Sequence, residues 1–287
     1  MAPRLSVSQI TTLRSGFAED LETYAAAGFD GIGIWELKLS EGEDAANLER
    51  FEASGLAAAA AVPELPSILP LPLLGGPEDP AERIDAYCRS MERLAPFRPS
   101  GLVLLTGTGD RDVAVEGLRT IATEAERLGL RIGIEPYQRD DGEQWSVVHS
   151  IPEAVELIRD AGDSPALGIQ FDVWHLWNTP TLYDDIANEI DRFTGVHVSD
   201  VRTPTRSFAD RALPGDGPAD VPRILAALDA AGWDGLYDIE IFSDDGTFGS
   251  EYDDSFWAAP AEETLARARE AFERCWSLTP QRVEETR

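Results

Sequence analysis

The chain has 287 residues, 43% of them hydrophobic, enough to bury a full core and close to the roughly 250 residues of one barrel of eight strand-helix units. Its 53 acidic against 24 basic residues leave a formal charge of −29, which repels phosphate backbones and anionic membrane surfaces and excludes nucleic acid and membranes as expected partners. Cys88 and Cys275 are too few for a disulfide framework, no run of about 18 apolar residues occurs, and MAPRLSVSQITTL lacks the apolar core of a signal peptide; a soluble cytoplasmic protein is expected.

Taken in chain order, short β-rich apolar runs at Leu5 to Ile10, Gly31 to Trp35, Ala57 to Val62, Gly101 to Thr106, Arg131 to Pro136, Leu167 to Val173, Gly195 to Ser199 and Leu236 to Phe242 predict eight strands. Between them, helical periodicity marks Phe17 to Ala27, Pro80 to Leu94, Val113 to Leu128, Ile151 to Ala161, Leu182 to Ile190, Val221 to Ala231 and Ala261 to Trp276. The phrases AAGFDG, RLGLRIG and AAGWDG each end a helix on glycine and start the next strand. Strands alternating with helices argue for parallel βαβ units, and eight of them for closure into a (β/α)8 barrel. A doubly wound open sheet competes, but no Gly-rich phosphate turn follows the first strand. Residues 1–287 are read as one barrel domain, with long loops at Pro63 to Pro80 and Arg202 to Asp220 and a frayed tail at 279–287.

Four metal-ligand-type side chains stand in separate apolar runs: Glu135 in RIGIEPY, Asp172 in LGIQFDVWH, His197 in FTGVHVSD and Glu240 in LYDIEIF. Their separations of 37, 25 and 43 residues place each in a different strand-helix unit of about 31 residues. Each lies toward the C-terminal end of its run, the end of a parallel barrel strand where active sites assemble. An acid among Ile, Val and Phe is costly unless it is paired or bound to metal, and one ion answers all four. Three carboxylates and one imidazole suit Mn²⁺, Mg²⁺ or Co²⁺ better than structural zinc. Such an ion polarises a carbonyl and stabilises an enediolate, acidifying the neighbouring C–H, while nearby carboxylates move the proton.

Around this set, His175 follows Asp172 by three residues, Arg211 lies on the loop after His197, and Glu36 follows the second strand; each is a candidate substrate contact. His149 reads as structural. Trp35, Trp174, Trp177 and Trp257 fall near strand ends or loops, where two of the four are expected to line a pocket.

Together these residues resemble the xylose isomerase-like barrel superfamily, specifically its sugar isomerase/epimerase branch, which includes ketose 3-epimerases, hydroxypyruvate isomerases and inosose dehydratases. The resemblance spans about residues 5 to 275 and is most specific in the second half. It implies that Glu135, Asp172, His197 and Glu240 bind one divalent metal, and that Glu135 and Glu240 are the acid/base pair on opposite faces of the substrate carbon. His175 matches the substrate-binding histidine and Arg211 in DRALPG the arginine of an N/D-R-x-x-P-G loop. Gln138 stands where the group often has Asn, and Asp141 falls near a further substrate-contacting Glu, one methylene shorter; ketohexose specificity is thereby in doubt. Members are often dimers or tetramers, so a homo-oligomer is an expectation of the resemblance.

The leading functional expectation is a metal-dependent isomerase or epimerase of a small carbohydrate. A metal-dependent lyase, an inosose-type dehydratase or one eliminating from a 3-oxo-glycoside, is the alternative and shares every step to the enediolate; a non-catalytic sugar-binding barrel is the third reading. The apurinic endonucleases of the same barrel need a histidine-rich three-metal centre, and this chain has three histidines in all. A Schiff-base aldolase needs a barrel lysine, and the only lysine, Lys38, follows the second strand.

Overall fold

Eight parallel strands close on themselves in sequence order: β1 (Arg4–Ser8), β2 (Gly31–Trp35), β3 (Ala57–Val62), β4 (Gly101–Leu104), β5 (Ile132–Ile134), β6 (Leu167–Asp172), β7 (Phe193–Val198) and β8 (Leu236–Ile239). Closure is made at β1, which pairs with β2 (Ser6 opposite Gly31) and with β8 (Leu5 opposite Tyr237). The computed structural model describes residues 2–71, 75–138 and 144–279. The helices outside the ring are α1 (Phe17–Ala26), α2 (Asp44–Ser54), α3 (Pro80–Leu94), α4 (Arg111–Leu128), α5 (Ile151–Asp160), α6 (Leu182–Glu189), α7 (Val221–Ala231) and α8 (Ala261–Ser277). Among the described residues no helix is long and apolar enough to cross a membrane.

The strands form because Val, Ile and Leu occupy runs short enough to be buried on both faces, as parallel strands must be. Ile32, Ile34, Ile132, Ile134, Ile169 and Phe171 are fully buried, each side chain contributing about 1.5–3 kcal/mol. Helix starts follow capping chemistry: Asp79, Asp110, Ser150 and Asp220 accept from backbone N–H groups of α3, α4, α5 and α7. The glycine phrases end α4 and α7 with left-handed Gly129 and Gly232. Helix α2 is the element that periodicity did not mark, since only Asn47 and Phe51 of its residues are buried.

β2 and β3 end where their apolar runs do, whereas β5 and β8 stop short of theirs, and this places the site. β5 ends at Ile134 and β8 at Ile239, so Glu135 and Glu240 sit just past them; each still donates its backbone N–H to the neighbouring strand, to Leu104 O at 3.0 Å and Val198 O at 3.1 Å. A second apolar cluster, separate from the main core, gathers Val62, Leu71, Val103, Leu105 and Trp145, with Trp35, Tyr137 and Phe208 packed on it. It lies at the C-terminal ends of β3 and β4, across the barrel mouth from β7 and β8.

Candidate metal centre

Four neighbouring strands deliver the polar group to one place. Asp172 ends β6 directly opposite His197 of β7, and His197 is in turn opposite Asp238 of β8. Donor atoms of Glu135, Asp172 and His197 lie within 4.8 Å of one another, all buried. His197 Nδ1 is 3.5 Å from Glu135 Oε1 and 3.2 Å from Glu240 Oε2. Glu240 thus joins the group through His197. A single guanidinium nitrogen of Arg211 also lies 2.9 Å from both Asp172 Oδ2 and Glu240 Oε2.

Local chemistry fixes each side chain. Asp172 Oδ1 accepts from Trp174 N at 2.8 Å, capping the single turn Val173–Leu176 and leaving Oδ2 turned inward. The Trp35 indole donates to Ser8 Oγ at 2.8 Å, and Ser8 donates to Glu240 Oε1 at 3.3 Å. Arg211 lies on a two-residue ladder, Val201 opposite Arg211, with its own N–H on Phe242 O. Buried Asp200 holds the loop after it by accepting from the N–H groups of Val201, Gly215, Gly217 and Ala219.

Glu135 Oε1 and His197 Nδ1 are buried without a hydrogen-bond partner, and such atoms normally require one. The two carboxylates and one imidazole of Glu135, Asp172 and His197 form a buried, mostly oxygen donor set that fits a divalent cation. Burial pushes the Glu135 carboxyl up to about 7, against the pull of His197. Burial acts on Glu240 too, but His197 and Arg211 outweigh it and bring this carboxyl down to about 2. Burial and the nearby Arg211 charge hold His175 well below the usual imidazole value, so it is neutral.

The other candidates separate clearly. Trp174 and His175 line a cavity of about 370 Å³ together with Glu135, His197, Arg211 and Glu240. His175 Nε2 is 3.5 Å from Asp172 Oδ2 and has no hydrogen-bond partner. Glu36 turns away from that cavity, which Trp35 and Leu37 on either side of it do line. Its carboxylate accepts from Glu64 N at 2.9 Å and pairs with Arg93 at 3.4 Å. Asp141 lies outside the described residues. Three of the four tryptophans, Trp35, Trp174 and Trp177, line the cavity rather than two, and Trp145 joins them. His149 binds Tyr137 O through Nδ1 at 2.7 Å, a structural contact.

One member of the site was missed at the level of sequence. Asp238 is buried, with Oδ2 3.8 Å from His197 Nε2, on the side opposite the other acids. At 3.8 Å it makes no hydrogen bond to the imidazole, and both its oxygens are buried without a partner, so it acts on His197 through charge alone. The signal was present in D-x-E, because residues i and i+2 of a strand share a face. Gly33 makes its room: a Cβ there would stand 2.2 Å from Asp238 Oδ2. Burial raises the Asp238 carboxyl from 3.8 to about 7, with His197 opposing. Because the folded value exceeds the unfolded one, its stabilising contribution is complete below pH about 4 and is lost as pH rises through about 7. Asp238→Asn is therefore expected to unfold with a flatter pH profile across that window, by on the order of 4 kcal/mol at most. Chemical denaturation of both proteins between those limits checks this, and parallel profiles would refute it.

Residues 21–275 match the family described as the xylose isomerase-like TIM barrel. The chain is 28% identical over 273 residues to a 3-dehydroshikimate dehydratase of Pseudomonas putida, covering 89% of this chain and 39% of that protein. It therefore spans well under half the length of this curated relative. Protein SMc04130 of Sinorhizobium meliloti superposes with a TM-score of 0.83 at 25% identity, over 95% of this chain and 98% of the other. IOLI protein, solved with a binding zinc atom, gives 0.76 at 20% identity, over 96% and 99%. With the ring closed over eight strands and most of its length matched, the chain belongs to the xylose isomerase-like TIM barrel family.

Proposed function

We propose that this protein is a divalent-metal-dependent isomerase or epimerase of a small carbohydrate, working by removal of a proton next to a carbonyl. The observation that carries the reading is the convergence of Glu135, Asp172 and His197 within 4.8 Å, with Glu240 Oε2 3.2 Å from His197 Nδ1 and with Glu135 Oε1 and His197 Nδ1 buried without a hydrogen-bond partner. Glu135, Asp172, His197 and Glu240 would hold the ion, with Mn²⁺ the best match to three carboxylates and one imidazole and Mg²⁺ or Co²⁺ the alternatives. When bound, the ion polarises the substrate carbonyl and offsets the charge left as the C–H proton departs. Glu240, ionised, takes the proton on one face; Glu135 returns one to the other face. His175 orients a substrate oxygen, Arg211 holds the carboxylates of Asp172 and Glu240 in place, and Trp35 and Trp174 keep water from the reacting carbon.

A lyase outcome is the second reading, favoured by the dehydratase name of the Pseudomonas putida relative. It uses the same proton abstraction and differs in expelling a β-leaving group. The test is solvent-deuterium incorporation by NMR, with Mn²⁺-loaded protein against ketoses, inososes and 3-oxo-glycosides, repeated after chelation. Metal-dependent exchange is expected, with the product telling isomerase from lyase. Exchange undiminished by chelation would end the metal-dependent reading.

A further inference from the structure

The cavity is chemically two-sided. Strands β5–β8 end in Glu135, Asp172, His197 and Glu240, whereas β3 and β4 end in Val62, Val103 and Leu105, which line the facing wall. Above that wall runs a continuous series of ring contacts. Tyr137 stacks on Trp145 with centroids 5.7 Å apart, Trp145 meets Phe208 at 5.2 Å, and Phe208 meets Phe248 at 5.3 Å. Leu37 and Phe248, two of the four large apolar side chains exposed among the described residues, also line the cavity. Arg211 is the only lysine or arginine among the described lining residues, and it is already committed to Asp172 and Glu240.

A bare sugar carries hydroxyls around its whole ring, and those facing Val62, Val103 and Leu105 would lose water without gaining a partner. A terminal phosphate would find no uncommitted cation among the described lining residues. An uncharged flat group would instead cover the β3–β4 wall and reach the exposed rim, where aromatic faces stack favourably.

We propose that the substrate is two-ended, an oxo-bearing polyol head at the glutamates joined to an uncharged aryl group lying against Trp145 and Phe208. The placement of the head rests on the proposed function; the aryl subsite is read by binding alone. The Mn²⁺-loaded protein is titrated calorimetrically with 4-fluorophenyl and methyl 3-oxo-β-D-glucosides, and with 4-fluorophenol by ¹⁹F NMR. The aryl glycoside is expected to bind about tenfold more tightly than the methyl one. The 4-fluorophenol resonance is expected to broaden with wild type and to sharpen with Phe208→Ala, while methyl glycoside binding stays within about twofold. Should Phe208→Ala lose cooperative unfolding, Phe248→Ala on the exposed rim takes its place. Equal affinities for the two glycosides, or an unbroadened 4-fluorophenol line, overturns the proposal. Broadening at Phe208 without any deuterium exchange on the glycosides would retain the aryl subsite and remove the reaction assigned to the glutamates.

Discussion

Glu240→Gln is expected to lower turnover by about 10²- to 10⁴-fold, the range for loss of a positioned general acid or base, and to weaken Mn²⁺ binding. The side chain is held from two directions, by Ser8 at Oε1 and by Arg211 and His197 at Oε2. Glutamine keeps the volume and can still accept from Ser8, so the substitution removes charge and basicity with little change of shape. Glu240 is also the carboxyl that His197 and Arg211 hold below the usual carboxylate range against its burial, so it is ionised across the neutral range. The deuterium-exchange rate, a Mn²⁺ titration and thermal unfolding separate the effects. Cooperative unfolding with exchange reduced by the stated factor is the expected result; wild-type exchange would remove Glu240 from the mechanism.

Arg211→Ala is the second large effect, and it concerns stability first. One guanidinium nitrogen serves both Asp172 and Glu240, and all three side chains are almost completely buried. Removing the cation leaves two buried carboxylates facing each other, a loss of about 3–5 kcal/mol in comparable buried pairs. Mn²⁺ would answer the same two charges. The deficit measured under chelation should therefore narrow when Mn²⁺ is saturating, since an ion at 100 times its Kd adds about 2.7 kcal/mol to any fold that binds it and more to one that lacks a competing cation. Denaturant unfolding with and without chelator provides the comparison. An identical deficit in both conditions would mean that Arg211 and the ion do not share these carboxylates.

Much of this architecture was legible in the sequence because the barrel repeats one physical pattern. The eight apolar runs correspond to the eight strands, and Glu135, Asp172 and His197 converge as their positions at the ends of successive runs required. What escaped reading did so for local reasons. Helix α2 presents too narrow an apolar stripe, Asn47 and Phe51, to stand out from a loop. Asp238 was overshadowed by Glu240 two residues on, although both sit on one strand face. Glu36 had the address of a site residue, but Arg93 and the Glu64 N–H, distant in sequence, draw it away. Trp145 and Phe208 come from connecting segments without periodicity, and only the closed ring brings them together at 5.2 Å.

The contact between Gly33 and Asp238 has a bearing on how this chain can diversify. The two positions belong to β2 and β8, on either side of β1, yet a methyl group at 33 and a carboxylate at 238 would compete for the same space. Ser8 Cα, 2.9 Å from the same point, adds the backbone of β1 to this constraint, so glycine at 33 is held from two sides. A side chain at 33 would press on β1 and on the group that faces the back of His197 together.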